Sequence, residues 1–138
     1  MYQNHAYQAY QNNQVITAPP EKLVAMLYDG AVRFLTQAAK ACEEKNIPET
    51  HQNLVKAQNI IAELMANVNR EVGEIGENLF LLYDFMYRRL VEANVKKDVR
   101  MILEVKELVE SLRDTWLEAM RLAKGGAQGN PTQLAASK

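Results

Sequence analysis

Two aspartates are the residues of this 138-residue chain whose placement could support acid–base chemistry. Asp29 and Asp84 each follow a tyrosine in a Leu-Tyr-Asp triplet, and a general acid and base would have to converge in one cleft. On the helices predicted below, both point away from the core stripe, which favours capping of a neighbouring loop or bonding to a docked backbone. The repeated triplet leaves internal duplication and coincidence both open.

Metal chemistry in a helical bundle requires glutamates and Glu-x-x-His pairs on facing helices. The two histidines, His5 and His51, do not follow a glutamate by three residues. The single cysteine, Cys42, excludes an internal disulfide and is interpreted as inert packing in a reducing cytoplasm. We therefore predict a protein that is not an enzyme, with no catalytic residues, no metal and no cofactor.

Composition excludes two further classes of function. A net charge of −1 and an isoelectric point near 6.1 argue against binding to nucleic acid by bulk electrostatics. No run of eighteen apolar residues is present, so direct membrane insertion is not expected. The N-terminus has neither the basic nor the apolar region of a secretory signal, which again predicts a cytoplasmic protein.

Apolar residues at helical spacing predict helices throughout the central part of the chain. The doublet Pro19-Pro20 marks the start of a first helix, which we place from Pro20 to about Lys45. Asn46 suits the N-cap of a second helix, with Glu49 three residues on, and this helix ends near Arg70.

A third helix is predicted from about residue 75 to 94, and Asp98 suits the N-cap of a fourth that ends at Gly125-Gly126. The fourth helix has the 3-4-3-4 apolar spacing of a bundle seam. Four helices with short links and no strand pattern predict an all-α protein, an antiparallel up-down four-helix bundle.

The chain is expected to divide into three parts. Residues 1–19 are rich in Gln, Asn and Tyr and carry no charged side chain, and we interpret them as a mobile N-terminal segment able to cap a groove of the bundle. The bundle itself occupies 20–124. Residues 125–138 are predicted to be a disordered tail.

The predicted third helix has more apolar residues than one buried face requires. Its core stripe comprises Leu79, Leu82, Tyr83, Met86, Leu90 and Ala93. Outside this stripe, Phe80, Tyr87 and Val91 lie on one flank, and Leu81 with Phe85 lies almost opposite the core.

The first helix has a similar surplus. Its core stripe is predicted to comprise Leu23, Met26, Leu27, Gly30, Phe34, Ala38 and Ala41. A second stripe about 100° away comprises Val24, Tyr28, Ala31 and Leu35. Gly30 lies inside the helix, where it is interpreted as allowing close approach by another backbone or a bulky side chain.

The surplus apolar residues could form grooves for amphipathic helical segments of a partner. The competing interpretations are self-association across a two-fold axis, as a weak homodimer or scaffold, and simple burial inside the protein's own core. These residue patterns leave all three interpretations open.

Several longer stretches of the chain match a known family pattern: Thr17-Ala18-Pro19-Pro20, Met26-Leu27-Tyr28-Asp29-Gly30, Lys56-Ala57-Gln58-Asn59-Ile60-Ile61, Leu82–Asn94, Glu104-Val105 and Trp116. On these pieces, from Ala9-Tyr10 to about Trp116, the chain resembles the FliS-type flagellin export chaperones. The long match in the third helix is the most specific of these.

The resemblance implies a cytoplasmic bundle that binds the disordered C-terminal segment of flagellin, prevents its premature polymerisation and docks on the cytosolic domain of the flagellar type III export gate. It also implies an N-terminal segment that covers one groove and leaves when flagellin arrives. By position, Tyr10 resembles the family tyrosine that matters for docking at the gate, and Tyr7 stands where an apolar residue usually accompanies that tyrosine.

Overall fold

The computed structural model describes residues 20–126, which form four α-helices and one short 3₁₀ turn. Helix α1 spans Pro20–Glu43, α2 Ile47–Asn67, the 3₁₀ turn Arg70–Val72, α3 Glu74–Lys96 and α4 Val99–Gly126. Consecutive helices joined by such short links run antiparallel. Helix α1 packs against α2 and α4, and α3 packs against α2 and less closely against α4. The predicted all-α up-down four-helix bundle is confirmed.

Two predicted N-caps determine where α2 and α4 begin. The side-chain oxygen of Asn46 accepts a hydrogen bond from the backbone N–H of Glu49 at 3.2 Å. Oδ1 of Asp98 accepts one from the N–H of Arg100 at 2.9 Å. Each cap satisfies a backbone donor that the first helical turn leaves unpaired.

The link between α2 and α3 differs from its prediction. Helix α2 ends at Asn67 instead of near Arg70, because the side chain of Asn69 caps the 3₁₀ turn by accepting from the N–H of Glu71 at 2.9 Å. The link then reverses at Gly73, whose φ of 101° is poorly accessible to other residues. Helix α3 consequently starts at Glu74.

The core runs along the bundle axis and contains side chains from all four helices. Its fully buried large apolar members include Leu35 of α1, Leu54 and Ile61 of α2, Met86 and Leu90 of α3, and Ile102, Val105 and Val109 of α4. A methyl group at Gly30 would lie 3.0 Å from Cδ1 of Ile60, so the predicted close approach at this glycine is confirmed. Across residues 20–126, no helix combines the length and the hydropathy that a membrane crossing needs.

Candidate functional site

The four α1 residues predicted to face a partner lie inside the bundle. Val24, Tyr28, Ala31 and Leu35 are all buried, the last two completely. Their assignment to an exposed face is wrong, because α1 lies between α2 and α4 and buries this stripe against them, although the buried Tyr28 also borders the groove described below. Leu23, Met26 and Phe34 of the predicted core stripe are only half-buried.

The predicted partner residues of α3 have different environments. Leu81 is 51% exposed, Phe85 36% and Val91 42%, as expected for side chains outside the core. Phe80 and Tyr87 are half-buried, and the guanidinium of Arg70 lies 3.8 Å from the centre of the Phe80 ring. The structure therefore does not bring the α1 and α3 sets together into one surface. Tyr7 and Tyr10 lie outside the described residues.

An open apolar groove lies between α3 and α4, at the end of the bundle where α1 begins. We call it the α3–α4 groove, and its volume is about 350 Å³. Its lining residues are Tyr28 of α1, Ile75, Asn78, Leu79 and Leu82 of α3, and Leu112, Thr115, Trp116 and Ala119 of α4. None of them is charged, so the groove suits an apolar segment of protein better than an ion or a nucleotide.

The groove exists because the bundle is not sealed at this end. Ile102, Val105 and Val109 of α4 are completely buried, whereas Leu112 and Ala119, further along the same seam, are only half-buried. Ile75 at the start of α3 is 60% exposed. The helical spacing predicts Leu79, Leu82, Leu112 and Trp116 as core residues; Trp116 is buried, whereas the three leucines are half-buried against the core. The apolar seam was visible in the sequence, but the separation of the helices was not.

Trp116 connects the groove wall to the start of α1. Its indole Nε1–H donates to the backbone carbonyl oxygen of Glu21 at 2.8 Å. This hydrogen bond attaches Trp116 to Glu21, one residue after α1 begins at Pro20. Pro20, the residue at which residues 1–19 join the bundle, therefore lies close to the α3–α4 groove.

Two tyrosines from different helices meet at the inner side of the groove. The hydroxyl oxygens of Tyr28 and Tyr83 are 2.5 Å apart, and both side chains are buried. Burial raises the pKa of Tyr28, and it raises the pKa of Tyr83 well above the usual value, because the charged phenolate is poorly solvated there. The two Leu-Tyr-Asp triplets therefore share a structural role: each supplies one member of this pair.

A second, more polar groove lies between α2 and α3 and has a volume of about 400 Å³. Val91, one of the predicted partner residues, lines it together with His51, Val55, Gln58, Asn94, Val95 and Lys97. Nδ2 of Asn94 and Nδ1 of His51 form a hydrogen bond of 2.9 Å. Its apolar lining consists of three valines, Val55, Val91 and Val95, among polar residues. This groove is therefore a weaker candidate for an apolar partner than the α3–α4 groove.

The candidate chemical residues do not form a reactive centre. Asp29 pairs with Arg113 at 3.5 Å and Asp84 with Arg88 at 3.1 Å, so both aspartates form surface ion pairs instead of the predicted loop caps. Cys42 donates its thiol to the carbonyl oxygen of Lys97 at 3.2 Å, and burial raises its pKa, which favours the unreactive thiol. Within residues 20–126, no group of three His, Cys, Asp or Glu side chains is placed to hold a metal ion.

Charged side chains stabilise the surface around the grooves. Arg70 forms a two-pronged hydrogen bond with Glu77, at 2.9 and 3.0 Å, and this lowers the pKa of the Glu77 carboxyl. Arg89 of α3 reaches Glu104 of α4 at 3.0 Å. Hydrogen bonding to Lys96 lowers the pKa of Glu92. These pairs lie at the surface, where the contribution of each to stability is small.

Comparison with known proteins shows similarity over most of the chain. The family model described as flagellar protein FliS matches residues 2–123. A flagellar secretion chaperone FliS from Bacillus subtilis (strain 168) is 43% identical over 124 residues, which cover 90% of this chain and 92% of the relative. Another, from Escherichia coli (strain K12), is 34% identical over 126 residues, covering 87% and 93% of the two chains.

A solved structure agrees with the fold. The crystal structure of a flagellar chaperone from bacteria superposes with a TM-score of 0.69 and covers 84% of this chain and 95% of that one. Its sequence identity is 21%, so this likeness concerns the arrangement of the helices alone.

Proposed function

The chain belongs to the FliS family of flagellar secretion chaperones, and from this membership we propose that it binds the disordered C-terminal segment of flagellin. Binding would prevent premature polymerisation of flagellin and deliver it to the flagellar type III export gate. Because flagellin must be held before it is exported, we place the protein in the cytoplasm. A chaperone acts by binding, which agrees with the expectation of a protein without catalytic activity.

The α3–α4 groove is the observation that supports this proposal. Its walls are core-type side chains of α3 and α4: Leu79, Leu82 and Leu112 are only half-buried, and the buried Trp116 borders the groove beside them. An amphipathic segment of flagellin can extend the apolar seam by adding its own side chains between the two helices. The exposed Leu81, Phe85 and Val91 are proposed as further contacts along α3.

The energetics favour a partner that covers several such sites. Burying one large apolar side chain contributes about 1.5–3 kcal/mol, whereas association costs about 4–15 kcal/mol before any ordering of the partner. Four or five buried side chains are therefore needed to offset association. A disordered segment loses further entropy when it folds on the surface, so it must extend beyond one groove.

We also propose roles for the N-terminal residues. Residues 1–19 join α1 at Pro20, next to the groove wall formed by Trp116, so this segment can compete with flagellin for the same apolar surface. When flagellin displaces it, Tyr7 and Tyr10 would become available to the cytosolic domain of the export gate.

Calorimetric titration with a synthetic flagellin C-terminal peptide tests the proposal. We expect binding by the full chain and tighter binding after deletion of residues 2–16, because the competing segment is then absent. Unchanged affinity after the deletion would remove the competition, and absence of binding by both proteins would remove flagellin as the partner. Light scattering with and without the peptide separates this function from self-association, which would give a larger species without peptide.

A further inference from the structure

The Tyr28–Tyr83 pair has one more hydrogen-bond donor than it uses. Each hydroxyl has one proton to donate and can also accept, so a single hydrogen bond between the two uses only one of the two protons. Among the hydrogen bonds formed within residues 20–126, neither hydroxyl takes part in another. One proton is therefore left without an acceptor in the bundle.

The location of the two side chains indicates which proton is left over. Tyr83 is 1% exposed and Tyr28 2%, but of the two only Tyr28 lines the α3–α4 groove. If Tyr28 donated to Tyr83, the remaining proton would be buried in the apolar core, where an unpaired donor carries its full desolvation penalty. If Tyr83 donates to Tyr28, the remaining proton belongs to the tyrosine beside the groove. The second arrangement is favoured.

We propose that Tyr28 donates this proton to a neutral oxygen of the protein segment that occupies the groove. The inference rests on the proposed function, because the occupant is the flagellin segment. The acceptor is a main-chain carbonyl outside a regular helical turn or the side-chain amide of Asn or Gln. A carboxylate is a poor occupant, because none of the lining residues is a cation that could compensate its desolvation.

The other polar groups of the groove do not duplicate this role. The indole N–H of Trp116 is already donated to the backbone of Glu21. Asn78 and Thr115 are exposed at the rim, where water competes for their hydrogen bonds. Tyr28 thus provides a shielded donor in an otherwise apolar wall. Apolar contacts alone supply affinity without fixing position, so this donor sets the register of the bound segment.

Tyr83 acts through Tyr28 as a positioning residue. By donating to the Tyr28 oxygen, it directs the second proton away from the core, and it polarises the Tyr28 hydroxyl towards stronger donation. The pair therefore supplies an unusual matched comparison. Tyr28→Phe and Tyr83→Phe remove the same internal hydrogen bond and one oxygen atom each, but only Tyr28→Phe removes the donor at the groove.

The experiment is calorimetric titration of the full-length wild type and both variants with the synthetic flagellin C-terminal peptide. We expect Tyr28→Phe to weaken binding about 3- to 10-fold, the effect of losing one hydrogen bond, and Tyr83→Phe to weaken it less, because that variant keeps the donor at the groove and loses only its positioning. Thermal melts of the free proteins provide the control, since both variants lose the same internal bond. Equal affinities for the two variants, whether reduced or unchanged, would overturn the role of Tyr28.

A second measurement uses only the wild-type protein, so it does not depend on whether a variant folds. In proton spectra of the wild-type complex, we expect a tyrosine hydroxyl resonance that is protected from exchange and shows contacts to the bound peptide. Contacts only to bundle residues would overturn the proposal. If the wild type binds no flagellin peptide, the proposed function fails and this inference with it, whereas binding without the Tyr28 difference removes the inference alone.

Discussion

Leu35 and Leu81 show how strongly the position of one side chain on a helix decides its role. Both are leucines in long helices, and both were expected to face a partner. Leu35 is completely buried between the helices, and Leu81 is 51% exposed on the outer side of α3. The same side chain therefore contributes to folding at one position and is available for contacts at the other.

Alanine substitution at these two leucines should separate the roles. We expect Leu35→Ala to lower the free energy of unfolding by about 2–5 kcal/mol, because it removes buried methyl groups and leaves a cavity. Leu81→Ala should change it by about 0.5 kcal/mol or less. Urea unfolding measures both values. Comparable losses at the two positions would contradict the burial difference.

The exposed face of α3 gives a related prediction about binding. Leu81→Glu should weaken binding of the flagellin peptide while helix content and melting temperature stay close to wild type, because the charge is tolerated in water and opposes an apolar contact. Calorimetry and circular dichroism provide the two readouts. If the substitution unfolds the protein, Leu81 is part of the core and the contact is misplaced.

The buried tyrosine pair should make stability sensitive to alkaline pH. The folded-state pKa values of Tyr28 and Tyr83 lie above those of the unfolded chain, so their contribution to stability is complete below about pH 10 and is lost as the pH rises through the folded values. We expect a steeper alkaline loss of stability in the wild type than in the double variant Y28F/Y83F. Denaturant unfolding between about pH 8 and 11 measures this difference. Parallel pH profiles would mean that the pair does not titrate with unfolding.

At the level of elements, the link between α2 and α3 depends on Gly76. A methyl group added at Gly76 would overlap the backbone carbonyl oxygen of Asn69 and lie 2.9 Å from Cγ2 of Val72. The 3₁₀ turn therefore packs directly on the first turn of α3. Arg70 holds the same junction from outside by pairing with Glu77 and stacking on Phe80.

Gly76→Ala and Gly30→Ala are a matched pair that tests this junction. Both replace a helical glycine, which by helix propensity alone favours alanine by about 1 kcal/mol. At Gly76 the obstacle is backbone, so we expect a net loss of about 1–3 kcal/mol. At Gly30 it is the tip of the Ile60 side chain, which can move, so the change should be smaller. Thermal unfolding ranks the two, and the opposite order would contradict the close packing at the junction.

For the whole molecule, the important property is unequal closure of the bundle. Helix α1 is enclosed by α2 and α4, whereas α3 and α4 pack less closely and leave the α3–α4 groove between them. A ligand that binds only the folded protein stabilises it by about 2.7 kcal/mol at a concentration 100 times its Kd. In this molecule, we expect the bound partner to suppress local opening mainly in the parts of α3 and α4 that border the groove.

Hydrogen exchange measures that distribution. On addition of the flagellin peptide, we expect additional protection mainly in residues 75–82 and 112–119, which contain the side chains of the two groove walls. The amides of α1 should change little, because α1 is already enclosed. Protection confined to α2 would place the partner on a different face.

Local signals in the sequence determined most of the architecture. The starts of α1 at Pro20, of α2 after the Asn46 cap and of α4 after the Asp98 cap depend on chemistry within a few residues, so each was predicted from its neighbours along the chain. The seam of α4 and the close approach at Gly30 likewise follow from spacing within one helix. The long match across α3 identified the family resemblance.

The tertiary structure alone decided which apolar surfaces remain open. Two adjacent stripes on α1 have equally good helical spacing, and only the positions of α2 and α4 show that the stripe containing Ala31 and Leu35 is central. In the same way, Leu112 and Trp116 have equally good core spacing, but the looser packing of α3 on α4 leaves Leu112 half-buried and puts both in a groove wall. Periodicity records which side of a helix is apolar. Whether that side is covered depends on the distance to another helix, which is a property of the packed bundle.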